Sequence, residues 1–507
     1  SPPSHASPVW PASGLALAVA LACGKRIIPG LFIGILAIQI YAFLDFSLPE
    51  NLLPSLISGT LSCIGSLTQA FLGVYLINHY VGKQNPLIKD KKIFNFFLYG
   101  GFISCLVAPS IGVTTIYFQG FITANDLPIS WLTWWIGDVI GVLIFTPIIL
   151  SLIAKPAHLW KGRRKSVGFP LFFAFVLVVS IFQYNQKQEI ARITSIFEQQ
   201  VNIFSSAFNT EVQHHVEVNE MLKGFYDSSQ KVTKEEFASL TQPFLKKFKS
   251  IQALEWVSFV PKKSRHQFEN KEHFGVMIRE PNQQKEMISA ASRDEYFPIT
   301  FVQPYKGNER ALGFDIGTTP SALIAIHKAR DTGETAITTP LQLIQDLKKK
   351  MGFVLYSPVY LKQVPTSSIT ERINALEGFV AGVFRAEDEI NEVFSEFPNL
   401  HLLIKIDDSG HEFYSNFPKS NTPNYNFFSL HKVSQLAVAN RIWTITYQPS
   451  ADFYHNQISW TLWWILLGGL VTTALTGMGL LMLTGRTLRT EDLVRIRTHD
   501  LAISEER

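Results

Sequence analysis

Cysteine is scarce in this chain: three residues among 507, Cys23, Cys63 and Cys105, each inside an apolar stretch. The polar block from Asn185 to Gln457 has none, which excludes disulfides and thiolate metal sites there. Other absences narrow the function. No Gly-rich nucleotide loop, no Gly-x-Ser-x-Gly elbow and no His-Glu-x-x-His helix occurs, so neither nucleotide turnover nor an exterior hydrolase is expected of these residues. Charged residues are only 17% and the net charge of +4 resides largely in short basic loops, so it does not indicate a nucleic-acid partner.

Apolar runs, by contrast, are abundant. They cover about 13–23, 27–44, 53–80, 93–118, 131–154, 168–184 and 458–483, most near the ~20 residues that span a bilayer. The connections alternate in charge. Lys25 and Arg26 follow the first run, Lys83, Lys89, Lys91 and Lys92 the third, and Lys155, Lys161, Arg163, Arg164 and Lys165 the fifth. Loops 45–52 and 119–130 carry no Lys or Arg. Basic loops stay in the cytoplasm, so the block 185–457 is expected outside, between two crossings. The chain starts without Met or a signal peptide and its first run must enter from outside, so an upstream helix is expected to be missing. The tail from Thr487 reads as a helix with Leu488, Leu493, Ile496 and Leu501 on short steps and no stop signal, so a truncated cytoplasmic helix is expected at 484–507.

The exterior block opens on a helix. Ile190, Ile193, Phe197, Val201, Phe204, Phe208, Val212, His215, Asn219 and Leu222 recur at three- and four-residue steps, drawing one apolar seam along 186–225 that reads as a stalk or a dimer seam. Strand-like segments then appear at 251–260, 353–359, 378–384, 402–406 and 442–447, bounded by Gly, Pro or Asp-Ser-Gly turns. Thr319 followed by Pro320 starts a helix that ends at Thr332 and Gly333, and 386–394 reads as another. The fold class expected is a membrane protein: a polytopic α-helical bundle at 1–184, an extracytoplasmic α+β domain at 185–457 and a final transmembrane helix at 458–483. The α+β domain would hold two lobes on the stalk, a distal one at about 240–365 and a proximal one at about 366–450.

The segments YFPITFVQPYKGNERALGFDIG, HKARDTGETAITTPLQLIQ and GFVLYSPVY resemble the CHASE domain, the extracytoplasmic sensory module of plant cytokinin receptors and many bacterial sensor kinases and cyclases. That resemblance covers about 190–450 and implies PAS-like lobes. VWPASGLALA, GKRIIPGLFIG and WWIGDVIGVLIFTPIIL resemble the first-described MASE integral membrane sensory domain over about 8–155. The tail LVRIRTHDLAISEER is similar to linker helices that precede PAS or kinase domains. Together these imply a sensory input module that binds a small molecule outside and drives a cytoplasmic output domain, a histidine kinase first and a diguanylate cyclase next.

Asp315 is the leading ligand candidate. In cytokinin-binding relatives the matching acid anchors the ligand and the backbone at the position of Ile337 lies beside it. Read on its own, Asp315 would either orient a ligand by charge-assisted hydrogen bonds or satisfy turn amides after Gly313. Thr338, Thr339 and Gln345 are further candidates, though Thr in strands and Gln on a helix commonly serve structure. Trp256, Phe259, Phe353, Leu355 and Tyr356 would form walls or plain core. Arg310 and Arg330 could meet an anion, or Arg330 could pair with Asp331. His214 and His215 lack a third ligand at useful spacing, so no metal is expected, nor any cofactor. His327 reads as a solvated face.

Asp138 is the one acid well inside an apolar run, where a carboxylate is costly unless paired or protonated; it is either a functional candidate or, lying near the outer end of the run, an acid that reaches the wet interface, and Gly137 with Gly141 gives a face for close helix packing. A transporter with an exterior accessory domain is the competing reading. His499 lacks the Arg-Thr-Pro that follows a phosphoacceptor. The expected partners are a small-molecule ligand, the lipid bilayer, a second copy of the chain and a response regulator reached through the output domain. The expected location is the cell inner membrane, crossed several times, with the sensor periplasmic or extracellular.

Overall fold

The computed structural model describes residues 9–43, 52–83, 87–155, 157–270, 275–284, 286–344, 351–418, 430–457 and 459–505. The chain divides into two compact units, 1–191 with 459–507, and 192–458.

The first unit is helical: α1 (Pro11–Cys23), α2 (Ile28–Phe43), α3 (Leu52–Tyr80), α4 (Asp90–Phe97), α5 (Val107–Phe118), α6 (Leu127–Ile153), α7 (Ala157–Arg163), the start of α8 (Phe169–Ser228), and a last long helix, Thr461–Glu505. Among the described residues six helical stretches are long and apolar enough to cross a membrane. The first, Pro11–Ile40, joins two of the expected runs through the turn Gly24–Ile27, where Gly24 takes φ 65°. The charge alternation from Lys83 onward is the same whether those runs count once or twice. Between α4 and α5 the helix widens into a π turn at Leu98–Ile103, just ahead of Pro109, whose ring and missing N–H disturb the ladder upstream of it.

Small residues set the packing of α1 on α6. Trp10 N–H donates to Gly137 O at 3.0 Å and Ser13 Oγ to Asp138 O at 3.0 Å. A Cβ on Gly141 would run into Trp10 O, and one on Gly14 into Gly141 O. Gly141→Ala should therefore separate the two helices and cost ~1–3 kcal/mol of overpacking; thermal unfolding in detergent checks it, with Gly34→Ala, which meets open space, as the control.

The second unit opens with α8, which has no Gly or Pro between Leu171 and Lys223 to interrupt it. Thr233 and Glu236 then cap α9 (Lys234–Lys247) reciprocally, Glu236 N–H to Thr233 Oγ1 at 3.2 Å and Thr233 N–H to Glu236 Oε2 at 2.9 Å. The strands follow: β1 (Ile251–Ser258), β2 (Val260–Pro261), β3 (Arg279–Pro281), β4 (Met287–Ser289), β5 (Glu295–Tyr296), β6 (Ile299–Gln303), β7 (Ala336–Ile337), β8 (Leu341–Gln342), β9 (Met351–Tyr360) and β10 (Leu376–Arg385). Helices α10 (Arg265–Glu269), α11 (Pro320–Thr332) and α12 (Ile369–Ala375) lie among them. The main sheet runs β6-β1-β10-β9-β7, antiparallel throughout, with β8 also on β9. Counted along the chain, its five path strands stand in the order 2-1-5-4-3. The seam expected near 365–370 falls inside this sheet, because β10 pairs between β1 and β9. The first lobe thus extends to Arg385.

After it come α13 (Ala386–Glu396) and a second antiparallel sheet, β12-β11-β14-β13, built from β11 (Leu402–Asp408), β12 (His411–Ser415), β13 (Lys432–Val438) and β14 (Arg441–Pro449). Ser409 and Gly410 turn the β11–β12 hairpin at φ 52° and 86°, and Arg441 clamps buried Asp408 with Nε and Nη2 at 2.6 and 2.9 Å. Helix α14 (Ala451–Gln457) closes the unit, and the final long helix becomes α15.

One core joins α8 to both sheets. Ile193, Phe197, Val201, Phe204, Phe208, Val212 and Leu222 pack with Trp256, Phe353, Leu355, Ile404 and Trp443, while His215 and Asn219 are fully buried. The stalk seam is therefore filled by the chain's own sheets and is not a free dimer seam. A separate core on the opposite face of the first sheet gathers Ala253, Val257, Tyr356 and Ala381 under α11.

Candidate functional site

The segment between β6 and α11 folds back so that Asp315 reaches the edge of the first lobe. Gly313 adopts φ 78° and a Cβ there would strike Met277 O, so only glycine lets the chain pass. Asp315 follows, fully buried. Its Oδ1 accepts the amides of Phe297 and Gly317 at 2.9 and 3.1 Å, and its Oδ2 accepts Arg293 Nη1 at 3.2 Å. Arg293 also pairs with Glu280. Burial raises the Asp315 carboxyl above the usual carboxylate range, the two amides and Arg293 pull it down, and Glu280 pushes it up. Of about four acceptor positions on a carboxylate, three are used, all for holding the loop. One remains on Oδ2.

The sheet divides the other candidates. Alternation on β9 sends Phe353 and Leu355 into the α8 core and Tyr356 into the α11 core. Trp256 joins Phe353, whereas Phe259 packs on Tyr356's side. The five aromatic and aliphatic walls are thus two walls on opposite faces. Thr338 Oγ1 accepts the amide of Val354 at 3.1 Å, and Ile337 N–H donates to Asn440 Oδ1 at 2.8 Å. Asn440 stands in the β13–β14 turn, so the backbone of Ile337 ties the first sheet's edge to the second sheet. Thr339 is partly buried, and Gln345 lies outside the described residues. Arg330 pairs with Asp331 at 2.7 Å, and His327, partly exposed, stands 3.4 Å from Glu295.

One residue escaped the sequence reading. Glu255 is 2% exposed in the middle of β1 and its charge helps hold the Tyr356 hydroxyl well above its ordinary range, after burial itself. The signal was an acid at an inward position between Ala253 and Val257 on a strand that also carries Leu254 and Trp256. With Asp315, Thr338 and Tyr356 it gives the α11 side of the sheet its polar groups.

In the first unit Asp138 is buried on α6, with the side chains of Gln69 from α3 and Ser13 from α1 as hydrogen-bond partners. Gln69 Oε1 also accepts Ala108 N–H at 3.2 Å. Neutral partners thus replace the missing Lys or Arg. At the far end, Arg486 on α15 holds Asp90 through Nε and Nη2 at 3.1 and 2.7 Å.

Comparison with known proteins agrees with this layout. Residues 2–185 match the MASE1 family model and residues 230–414 the CHASE domain model. A curated relative is the "Hybrid signal transduction histidine kinase A" of Dictyostelium discoideum, 22% identical over 219 residues, or 41% of this chain. The chain spans about 10% of that relative's length. Among solved structures, the periplasmic sensory domain of the Campylobacter jejuni chemoreceptor Tlp1 aligns at a TM-score of 0.31 and 11% identity, over 53% of this chain and 97% of that one. An extracellular ligand binding receptor from Desulfohalobium retbaense aligns at 0.29 and 9% identity, over 50% of this chain and 39% of that one. The chain is a membrane-embedded sensor in which a MASE1 domain precedes a CHASE domain.

Proposed function

We propose that residues 185–457 face the periplasm of a bacterial inner membrane, bind a small molecule there, and control a cytoplasmic output domain beyond α15. The carrying observation is the charge asymmetry: the basic loops at 83–92 and 155–165 support a cytoplasmic side for those loops and hence an exterior side for the CHASE segment between two apolar crossings. The output is a histidine kinase in this reading, with a diguanylate cyclase next, and a kinase would pass phosphate to a response regulator. The chain works as a homodimer, which is supported by Leu493, Val494 and Ile496 standing exposed on α15 and wanting a partner helix.

The ligand enters on the α11 side of the first sheet, where Asp315, Thr338, Tyr356 and Glu255 supply polar groups within an apolar surround. Gln345, Thr339 and Ile337 border the same edge in sequence, and Phe353 acts from the opposite face by packing. Ordering β7 against β9 would move Asn440 and with it the second sheet, which packs on α8. A ligand does this only if it favours one of two arrangements.

The test uses the whole chain in nanodiscs, screened by thermal shift against small metabolites including adenine-type compounds. A saturable hit lost in Asp315→Asn supports the site; a hit untouched by that change removes it. Single cysteines placed at Tyr305 and Lys161 should be labelled by an impermeant maleimide from outside and inside respectively, and the reverse pattern would sink the topology.

A further inference from the structure

We propose that Glu211, His215 and Glu389 form a binding site for one divalent transition-metal ion, with zinc as the best fit. Local spacing gave no third ligand beside His214 and His215. The fold supplies it from α13, 174 residues away along the chain. His215 Nε2 lies 2.7 and 2.8 Å from the two carboxylate oxygens of Glu389 and 3.8 Å from Glu211 Oε1, and one donor atom from each residue falls within 4.8 Å of the others. Donors around one zinc ion, at bonds of about 2.0–2.2 Å, stand ~3–4 Å apart. Modest side-chain shifts would therefore close the site.

Two further observations point to a ligand. Glu389 is fully buried, and its Oε1, which faces His215 Nε2, has no hydrogen-bond partner; a single proton between Nε2 and Glu389 serves only one of the two oxygens. Second, there is a way in. Glu211 and His214 line an open groove of about 1070 Å³ together with Glu392, so an ion meets carboxylates before it meets His215. Ser250 Oγ, 3.3 Å from Glu211 and 3.4 Å from His215, marks the position of a fourth ligand or a bound water. One imidazole and two carboxylates suit zinc, with manganese the alternative.

Such an ion would fasten α8 to α13 where the first lobe gives way to the second. The site stands whether or not the α11 side binds a small molecule. The test is calorimetric titration of the tag-free whole chain in detergent, stripped with chelator, with Zn²⁺ and separately Mn²⁺, and with the Co²⁺ absorption spectrum as a ligand signature. One ion per chain and a raised unfolding temperature are expected. Glu389→Gln and Glu211→Gln should each weaken binding by at least the 10–100-fold that loss of even an outer partner causes. Absence of stoichiometric binding overturns the proposal, as does binding that survives Glu389→Gln. If Glu389→Gln fails to fold, undiminished binding by Glu211→Gln overturns it equally, since Glu211 is partly exposed and its amide keeps the shape.

Discussion

Asp315→Ala is expected to destabilise the first lobe by ~1–3 kcal/mol, because the buried amide of Phe297 loses its acceptor and an orphaned buried donor costs that much, with the half-buried amide of Gly317 adding less. Asp315→Asn should stay within ~1 kcal/mol, since its remaining oxygen can keep both amides. Chemical denaturation of the whole chain in detergent, followed by tryptophan fluorescence, separates the two. The pair also splits the roles of the residue. If Asp315 only holds the loop, Asn leaves ligand response intact; if its last acceptor position meets the ligand, Asn abolishes the response in a folded protein. The pH dependence has a definite sign. The folded carboxyl is raised, so its contribution is full below the unfolded value of ~3.9 and is lost as pH rises through the higher folded value. The Asn variant lacks that titration, so its stability relative to wild type should improve as pH rises through that window. A shift in the opposite direction would mean that Arg293 and the amides outweigh burial.

The elements that announce themselves locally were legible. Gly333 at φ 83° ends α11, and Ser409 with Gly410 turns the hairpin, at the positions where turn chemistry placed them. The five expected strands correspond to β1, β9, β10, β11 and β14. The lobe boundary was not legible, because β10 is claimed by pairing with β1 and β9, and pairing with β1 across 120 residues or more leaves no local mark. The stalk seam could be read as apolar but not assigned an occupant; an amphipathic stripe looks the same whether it faces a second copy or its own sheets. The same limit applies to the site. Phe353 and Tyr356 are three apart on one strand, an odd separation that alone predicts opposite faces, yet both were grouped as pocket residues. His215 looked solitary because Glu389 comes from another helix.

Trp443→Ala should be the most damaging single change in the sensor. The indole is fully buried, with ring centroids 6.3 Å from Phe208 on α8, 5.0 Å from Phe353 on β9 and 5.1 Å from Phe413 on β12. It is thus the aromatic group where the stalk and both sheets meet. Truncation to Ala leaves a cavity that three elements cannot all close, at ~3–5 kcal/mol. Trp443→Phe should cost much less, because the indole Nε1 has no hydrogen-bond partner to lose and a ring still fills most of the volume. Coupling is a stricter readout than stability. Phe353 sits on the strand that pairs with β7 and Phe208 sits on α8, so Trp443 lies between the candidate ligand site and α8. Hydrogen exchange on the Phe variant, which keeps the fold, should show the second sheet and α8 less responsive to any ligand that protects β7 and β9. If protection spreads equally in wild type and variant, the Ile337–Asn440 link rather than the aromatic cluster carries the coupling, and Asn440→Ala should then interrupt it.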